Sequence, residues 1–330
     1  MKRILFRADA KPSIGTGDLV SLIRLSKYFE VRGWESHFMI RNYKAGCLLV
    51  QKHGLENIAT IDENISVEEE VELINSYSEA WRINVIFLEI TERSLLNYKN
   101  LAPGIIKATV CFDGQVFDDT ALVVNWDVDA PKLFDRKRYP KTQLLLGTEY
   151  VILPIEFDFE RIKNRAQNAC PKKLLVAMGG ADEWNLTQKV IQALIDYDVD
   201  FIVTVVLGAG YNYREALEQV VKKGGQRFKL IFNIENMFDE YMSCDVAIAA
   251  GGLTAYELIA TRTPAILIAA YEHQIARCSY FHEQGLARYL GFREVVPEML
   301  INSVMNPLLP DKEYIVRTKE IVDAVCELAK

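Results

Sequence analysis

Short apolar runs rich in β-branched and aromatic residues alternate with helical patterns from one end of the chain to the other. No other feature constrains the fold as much. Ile4-Leu5-Phe6-Arg7 reads as a first strand, and Asp18 to Arg32 as a helix with Leu19, Leu22, Ile23, Leu25 and Phe29 at helical spacing and Gly33 as its stop. Ser36 to Ile40 is a second strand, and a helix around Lys44 to His53 ends at Gly54. Ile65 to Trp81 is an amphipathic helix whose run Glu68-Glu69-Glu70 reads as a solvated acidic face near its start. Asn84 to Glu89, Ile105 to Phe112, Ala121 to Val124 and Gln143 to Leu146 complete a first strand set.

Glu156 to Lys173 changes character: it is polar, carries Arg161, Lys163, Arg165 and Asn168, and ends at Pro171. A second alternating series follows. Its strands are Leu174 to Met178, Phe201 to Leu207, Phe228 to Phe232, Val246 to Ala250 and Ala265 to Ala269. Its helices are Thr187 to Ile195, Arg214 to Lys223, one near Met237, Leu253 to Thr261, Ala276 to Gln284 and a final one at Lys312 to Leu328. Strands separated by helices of this length form parallel sheets with helices on both faces. The expectation is therefore an α/β protein of two Rossmann-like, doubly wound domains with a cleft between them. The N-terminal domain is placed at 1–155, a linker at 156–171 and the C-terminal domain at 172–330, the last helix (312–328) having the option of packing back toward the N-terminal domain.

Composition narrows the function classes. Lys+Arg 38 against Asp+Glu 45 gives a net charge of −7. That argues against a nucleic-acid-coating protein, because phosphate neutralisation needs clustered cations. The six cysteines show no C-x-x-C pair and the four histidines no metal-ligand spacing, so neither a structural zinc nor any other metal is expected. The scattered cysteines fit a reducing cytoplasm. Arg7 and Asp9 interrupt the first apolar run before a leader could form, and no stretch approaches membrane-span length.

In open parallel sheets, ligands collect at the carboxyl ends of strands. Four segments lie there. Arg7-Ala8-Asp9 with Ile14-Gly15-Thr16-Gly17-Asp18 joins the first strand to the first helix. Glycines there admit a close ligand, and the helix start offers free N–H groups. The segment is neither a dinucleotide fingerprint, since Val20 takes the third glycine position, nor a P-loop. Asp18 is a candidate base, or else only a carboxylate stabilised by the helix start. Gly179-Gly180-Ala181-Asp182 with Asn185 is the second segment, readable as a sugar or phosphate contact or as a turn with Asp182 as cap. The third, Gly251-Gly252-Leu253-Thr254 with Glu257, carries the strongest signal. Two glycines open a helix whose N–H groups can hold a diphosphate, and Glu257, one turn in, can take ribose hydroxyls. The fourth, Tyr271-Glu272-His273-Gln274, offers sugar-hydroxyl partners and a histidine that titrates near neutrality.

These segments, in this order, resemble the PseG/SpsG family, which includes the UDP-sugar hydrolase of bacterial pseudaminic acid biosynthesis. The likeness rests on Phe6-Arg7-Ala8-Asp9 with Ile14-Gly15-Thr16-Gly17, on Leu146-Gly147-Thr148-Glu149-Tyr150 with Glu156-Phe157, on the two diglycines and on Gln274. The run Gly251 to Glu257 is also similar to the nucleotide site of the lipid II glycosyltransferase MurG. The resemblance implies a GT-B fold and metal-free cleavage of an anomeric C–O bond with inversion, releasing nucleoside diphosphate, without a cofactor. The diphosphate would sit on Gly252-Leu253-Thr254, the ribose on Glu257, and the sugar near Gln274, Asn185 and the Gly15–Gly17 loop.

Two positions depart from the family. A histidine, taken as the base that activates water, usually follows the first glycine pair; here Asp18 stands there. An unperturbed aspartate, with a pKa near 3.9, is a weak base unless its surroundings raise it. Pro154 stands where the family tends to carry an arginine. The expected function is a cytoplasmic nucleotide-sugar hydrolase of PseG type in surface or flagellar glycan (nonulosonic acid) biosynthesis, with Asp18 as base and Asp9 or Arg7 orienting it. The alternatives are an inverting glycosyltransferase with a sugar or glycan acceptor, and a non-catalytic nucleotide-sugar-binding homologue. The substrate in each case is a nucleotide sugar, most simply a UDP-sugar, and no nucleic acid is involved.

Overall fold

A computed structural model describes the chain except for residues 12–15, 91–93, 158, 166–167, 169, 209, 233 and 235; for residues 159–160 it describes the backbone alone. The chain divides into two compact units, Met1–Ile155 with Val316–Lys330, and Glu156–Ile315.

The first unit runs β1 (Arg3–Ala8), α1 (Gly17–Val31), β2 (Glu35–Arg41), α2 (Lys44–Lys52), β3 (Ile58–Ile61), α3 (Val67–Ala80), β4 (Val85–Glu89), β5 (Ile106–Val110), β6 (Thr120–Asn125), α4 (Ala130–Leu133) and β7 (Gln143–Leu146). Its seven strands pair in the order β3-β2-β1-β4-β5-β6-β7, all parallel. β1 and β4 sit in register, with Phe6 beside Phe87 and Ala8 beside Glu89. Side chains alternate across a strand. Phe6 therefore meets Phe29 of α1 on one face, at 5.9 Å between ring centres. Leu5, Ile86 and Leu88 pack with Val71 and Ile74 of α3 on the other. The start of α3 is fixed by a capping box: the Ser66 hydroxyl accepts from the Glu69 amide, and the Glu69 carboxylate accepts from the Ser66 amide.

The second unit runs α5 (Phe159–Lys163), β8 (Lys173–Ala177), α6 (Leu186–Asp196), β9 (Ile202–Leu207), α7 (Arg214–Gly224), β10 (Phe228–Phe232), α8 (Met237–Ser243), β11 (Val246–Ala250), α9 (Leu253–Ala260), β12 (Ala265–Ala269), α10 (Ile275–Glu283), β13 (Arg288–Phe292) and α11 (Pro297–Met305). Its six strands pair in the order β10-β9-β8-β11-β12-β13, again all parallel. The polar segment read as a linker groups with this unit. Arg165 donates to the Thr261 carbonyl at 3.1 Å, to the Thr263 hydroxyl at 2.6 Å and to the Cys244 carbonyl.

The final helix, α12 (Thr318–Leu328), belongs to the first unit and starts later than the expected Lys312. The chain is tied down first. The Arg317 amide donates to the Glu149 carbonyl at 2.7 Å, and the Thr318 hydroxyl donates to the Val151 carbonyl at 2.9 Å. Five elements, β3, α4, α5, β13 and α11, have no counterpart in the sequence-based assignment. β3 is four residues long, and β13 is only half-buried, with a register shift in its pairing. Such short or irregular strands leave little periodicity to detect.

Candidate functional site

Each sheet reverses its strand order once at its middle, at β1/β4 in the first unit and at β8/β11 in the second. Such switch points are where open parallel sheets bind ligands. All four segments picked out in the sequence emerge from strands in these regions or next to them.

In the first unit, α1 opens at Gly17 with Thr16 as N-cap and no side-chain capping bond, and Asp18 lies in its first turn, half-buried. Gly15 lies outside the described residues. Glu89, at the carboxyl end of β4, is 2 % exposed. Its Oε2 is buried with no hydrogen-bond partner among the described residues. Burial first, and the negative charge of Asp18 second, hold the Glu89 carboxyl well above the usual carboxylate range. This switch point thus carries two carboxyl groups, a half-exposed one in the first turn of α1 and an enclosed one at the end of β4. Sequence reasoning placed Glu89 only at the end of a strand.

Arg7 and Asp9 belong to a buried ion-pair network. Arg7 is fully buried; its Nε donates to Glu70 at 2.7 Å and its Nη2 to Asp9 at 2.8 Å. Asp9 also accepts from the Arg41 amide at 2.7 Å. Arg41 reaches Glu70 and donates to the Glu63 carbonyl at 2.7 Å, while the Tyr98 hydroxyl donates to Glu70 at 3.2 Å. Burial alone would favour a neutral Arg7, but Asp9 and Glu70 outweigh it and hold the guanidinium charged above the ordinary arginine value. The network lies on the α3 side of the sheet, beside the apolar cluster of Leu5, Ile86 and Leu88. Glu70 corrects the expectation of a solvated acidic run: it is fully buried as the shared acceptor of two arginines. Only the pairing of Glu70 with distant arginines distinguishes it from Glu68 and Glu69, and pairing of that kind carries no local sequence signal.

In the second unit, Gly179 has a φ of +97°, which favours glycine, and Gly180 packs against Gly208, where an added Cβ would lie 2.3 Å from the Gly180 carbonyl oxygen. Asp182 accepts from the Leu186 and Thr187 amides at 2.9 and 2.8 Å. Its carboxylate thus occupies the start of α6, three residues before the N-cap Asn185. Asn185 accepts from the Tyr211 hydroxyl at 2.7 Å and donates to Gln188 at 2.8 Å. His273 is exposed and stacks on Tyr271 with an interplanar angle of 10°.

The start of α9 is built differently. Gly252 is its N-cap, and no side chain caps it. Gly251 is there because nothing larger fits: an added Cβ would lie 2.4 Å from the Cys278 sulfur and 2.9 Å from the Gln274 Cβ. Burial pushes the Cys278 thiol up to about 12, so it packs as a neutral group. Gln274 is buried; its Oε1 accepts from the Ala270 amide at 2.9 Å, and its Nε2 lies on the Gly252 side. Arg277, missed in the sequence, donates through Nη1 to the Gly251 carbonyl at 2.9 Å. Glu257 is 5 % exposed, and Oε2 accepts a 2.5 Å hydrogen bond from the Tyr241 hydroxyl. The diglycine, the amides of Leu253 and Thr254, the Gln274 carboxamide and the Arg277 guanidinium therefore converge on one helix start. Donors and positive charge without a competing side-chain cap are what an anionic ligand requires there.

Residues 174–328 match the glycosyltransferase family 28 C-terminal domain. The match takes in the whole α9 region. The chain is 33 % identical over 170 residues to the spore coat polysaccharide biosynthesis protein SpsG of Bacillus subtilis, covering 51 % of this chain and 50 % of that protein. It spans half or less of the length of each curated relative it matches. The fold is GT-B. MurG of Acinetobacter baumannii superposes with a TM-score of 0.69 at 16 % identity, covering 99 % of this chain and 100 % of that one. The UDP-GlcNAc 2-epimerase of Methanocaldococcus jannaschii gives 0.66 at 13 % identity, covering 99 % and 100 %. Among the described residues, no cluster of His, Cys, Asp or Glu could hold a metal ion, and no helix is long and apolar enough to cross a membrane.

Proposed function

We propose that the chain is a glycosyltransferase-like enzyme that binds a nucleoside-diphosphate sugar, most simply a UDP-sugar, and cleaves its anomeric C–O bond with inversion. The observation that carries this is the start of α9: a helix N-terminus without a side-chain cap, entered through two glycines, with Arg277 and Gln274 beside it and lying inside the family 28 match. In this reading the Leu253 and Thr254 amides take the diphosphate, and the developing charge on the leaving diphosphate is stabilised by the helix start and Arg277. Glu257, fixed by Tyr241, takes the ribose hydroxyls. Asp18 deprotonates the attacking oxygen. A UDP-linked donor is supported by the epimerase of like fold, whose name includes UDP-GlcNAc.

Transfer to a sugar or glycan hydroxyl is the reading we favour, because a carboxylate stands at position 18 and the matched domain is a glycosyltransferase domain. Hydrolysis of PseG type is the second reading, favoured by the Phe6-Arg7-Ala8-Asp9 and Leu146–Tyr150 segments. A role in polysaccharide biosynthesis follows by likeness to SpsG. Incubation with UDP-sugars, with and without candidate acceptors, separates these readings. UDP released only with an acceptor supports transfer, and release into water alone supports hydrolysis. UDP binding without turnover of any donor would leave a non-catalytic binding protein.

A further inference from the structure

Glu89 has a place in the fold that its structural surroundings do not explain. It ends β4, the strand next to β1 at the centre of the first sheet, where a glutamate removed from water needs partners. Its neighbours in the sheet are Ala8 on β1 and Val110 on β5, neither of which can pair with it. Side-chain alternation puts Glu89 on the α1 face, away from the Arg7–Asp9–Arg41–Glu70 network on the α3 face. Among the described residues, the charge that acts on it is that of Asp18, in the first turn of α1, the helix on this face. A buried carboxyl whose Oε2 has no hydrogen-bond partner among the described residues, set behind a half-exposed carboxylate, is costly for stability alone.

We propose that Glu89 and Asp18 work as one carboxyl pair, in which Asp18 meets the attacking hydroxyl and Glu89, behind it, takes up the proton. This rests on the proposed function and names what makes an aspartate strong enough as the base. Two adjacent carboxyl groups lose their protons in two steps that belong to the pair, and the second step lies well above that of an isolated aspartate. With both groups ionised, the attacking O–H gives its proton to Asp18 as the new C–O bond forms, and the bond to the diphosphate breaks with its electron pair leaving on the nucleoside diphosphate. The proton passes from Asp18 to Glu89, which is the better acceptor because it is enclosed. Glu89 acts through Asp18 and is a positioning residue; Asp18 is the group that touches substrate.

The test is a pH titration of the full chain labelled with 13C at its Asp and Glu carboxyls, with the Glu89 signal assigned by its loss in Glu89→Gln. The expected result is that Glu89 ionises above the other glutamates and that Asp18→Asn moves it down toward them. Ionisation together with the surface glutamates, or no response to Asp18→Asn, overturns the pair. The same variants are then followed by UDP release from a turned-over UDP-sugar. Glu89→Gln should lower kcat by about a hundred-fold with KM unchanged, and move the rising limb of the pH profile to lower pH, since Asp18 is then relieved of the Glu89 charge. An unmoved profile also overturns the pair. The titration contains no substrate, so it decides the pair by itself; absence of turnover with every donor would instead overturn the proposed function, and the catalytic step with it.

Discussion

Arg277 donates to the Gly251 carbonyl over 2.9 Å, while its guanidinium lies 4.9 Å from the centre of the Tyr256 ring. One side chain of α10 thereby holds the turn that opens α9 and brings a positive charge beside it. Arg277→Met keeps much of the apolar stem and removes both the charge and the bond. The expected outcome is a loss of UDP affinity of about ten-fold, from one charge-assisted hydrogen bond, with little change for uridine. Calorimetric titration with the two ligands checks it; an equal loss for both would show that Arg277 supports the fold and not the diphosphate.

The two glycines before α9 differ in what surrounds them. A methyl group at 251 meets the Cys278 sulfur at 2.4 Å, whereas one at 252 meets only the Gln274 Nε2 at 3.8 Å. Gly251→Ala should cost about 1–3 kcal/mol of stability through overpacking. Gly252→Ala should leave stability within about 0.5 kcal/mol. Denaturant unfolding of both variants compares them directly, and equal costs would contradict the packing described.

Glu70 and Glu69 are neighbours in sequence with opposite environments. Glu70→Ala leaves Arg7 and Arg41 buried without their shared acceptor and should cost about 3–5 kcal/mol. Glu69→Ala removes half of an exposed capping box and should cost about 1 kcal/mol or less. Chemical denaturation checks both values. A mild Glu70→Ala would contradict the role of Glu70 as the shared buried acceptor of Arg7 and Arg41.

Stability should also respond to pH through Glu89. Its ordinary value is 4.5, and in the folded chain it is raised by burial and then by Asp18. Below the ordinary value the group is protonated in both states. As pH rises past it, the unfolded carboxyl ionises while the folded one keeps its proton, so stability is lost with rising pH up to the folded value. Glu89→Gln has no such proton to lose. It should match the wild type near pH 4 and become progressively the more stable of the two as pH rises. Thermal unfolding across that range reads the difference, and a constant offset would contradict it.

The two-unit α/β architecture was legible because parallel strands buried on both faces leave continuous apolar runs, as in Val246–Ala250, and their crossover helices leave a 3.6-residue period, as in α1. The diglycine of α9 was legible for a similar reason: a strand, two glycines and a helix form a local pattern. What escaped was non-local. Glu89 reads as the last residue of a strand until α1 brings Asp18 to it. Arg277 reads as one polar position of a surface helix until its bond to Gly251 is seen. Arg7 and Asp9 stood at the right strand end, but their partners lie 32 to 63 residues away, on Arg41 and Glu70. β13 and α11 were missed because Gly291 and a half-buried strand blur the alternation on which detection depends.

The central claim is that the backbone at the start of α9 grips a nucleoside diphosphate, and the backbone amide resonances of Leu253 and Thr254 report on it most directly. Titration of the 15N-labelled chain with UDP should shift both amides saturably, together with the Gln274 side-chain amide, and Arg277→Met should weaken the response. Saturable UDP binding that leaves Leu253 and Thr254 unmoved while amides elsewhere shift would contradict the account.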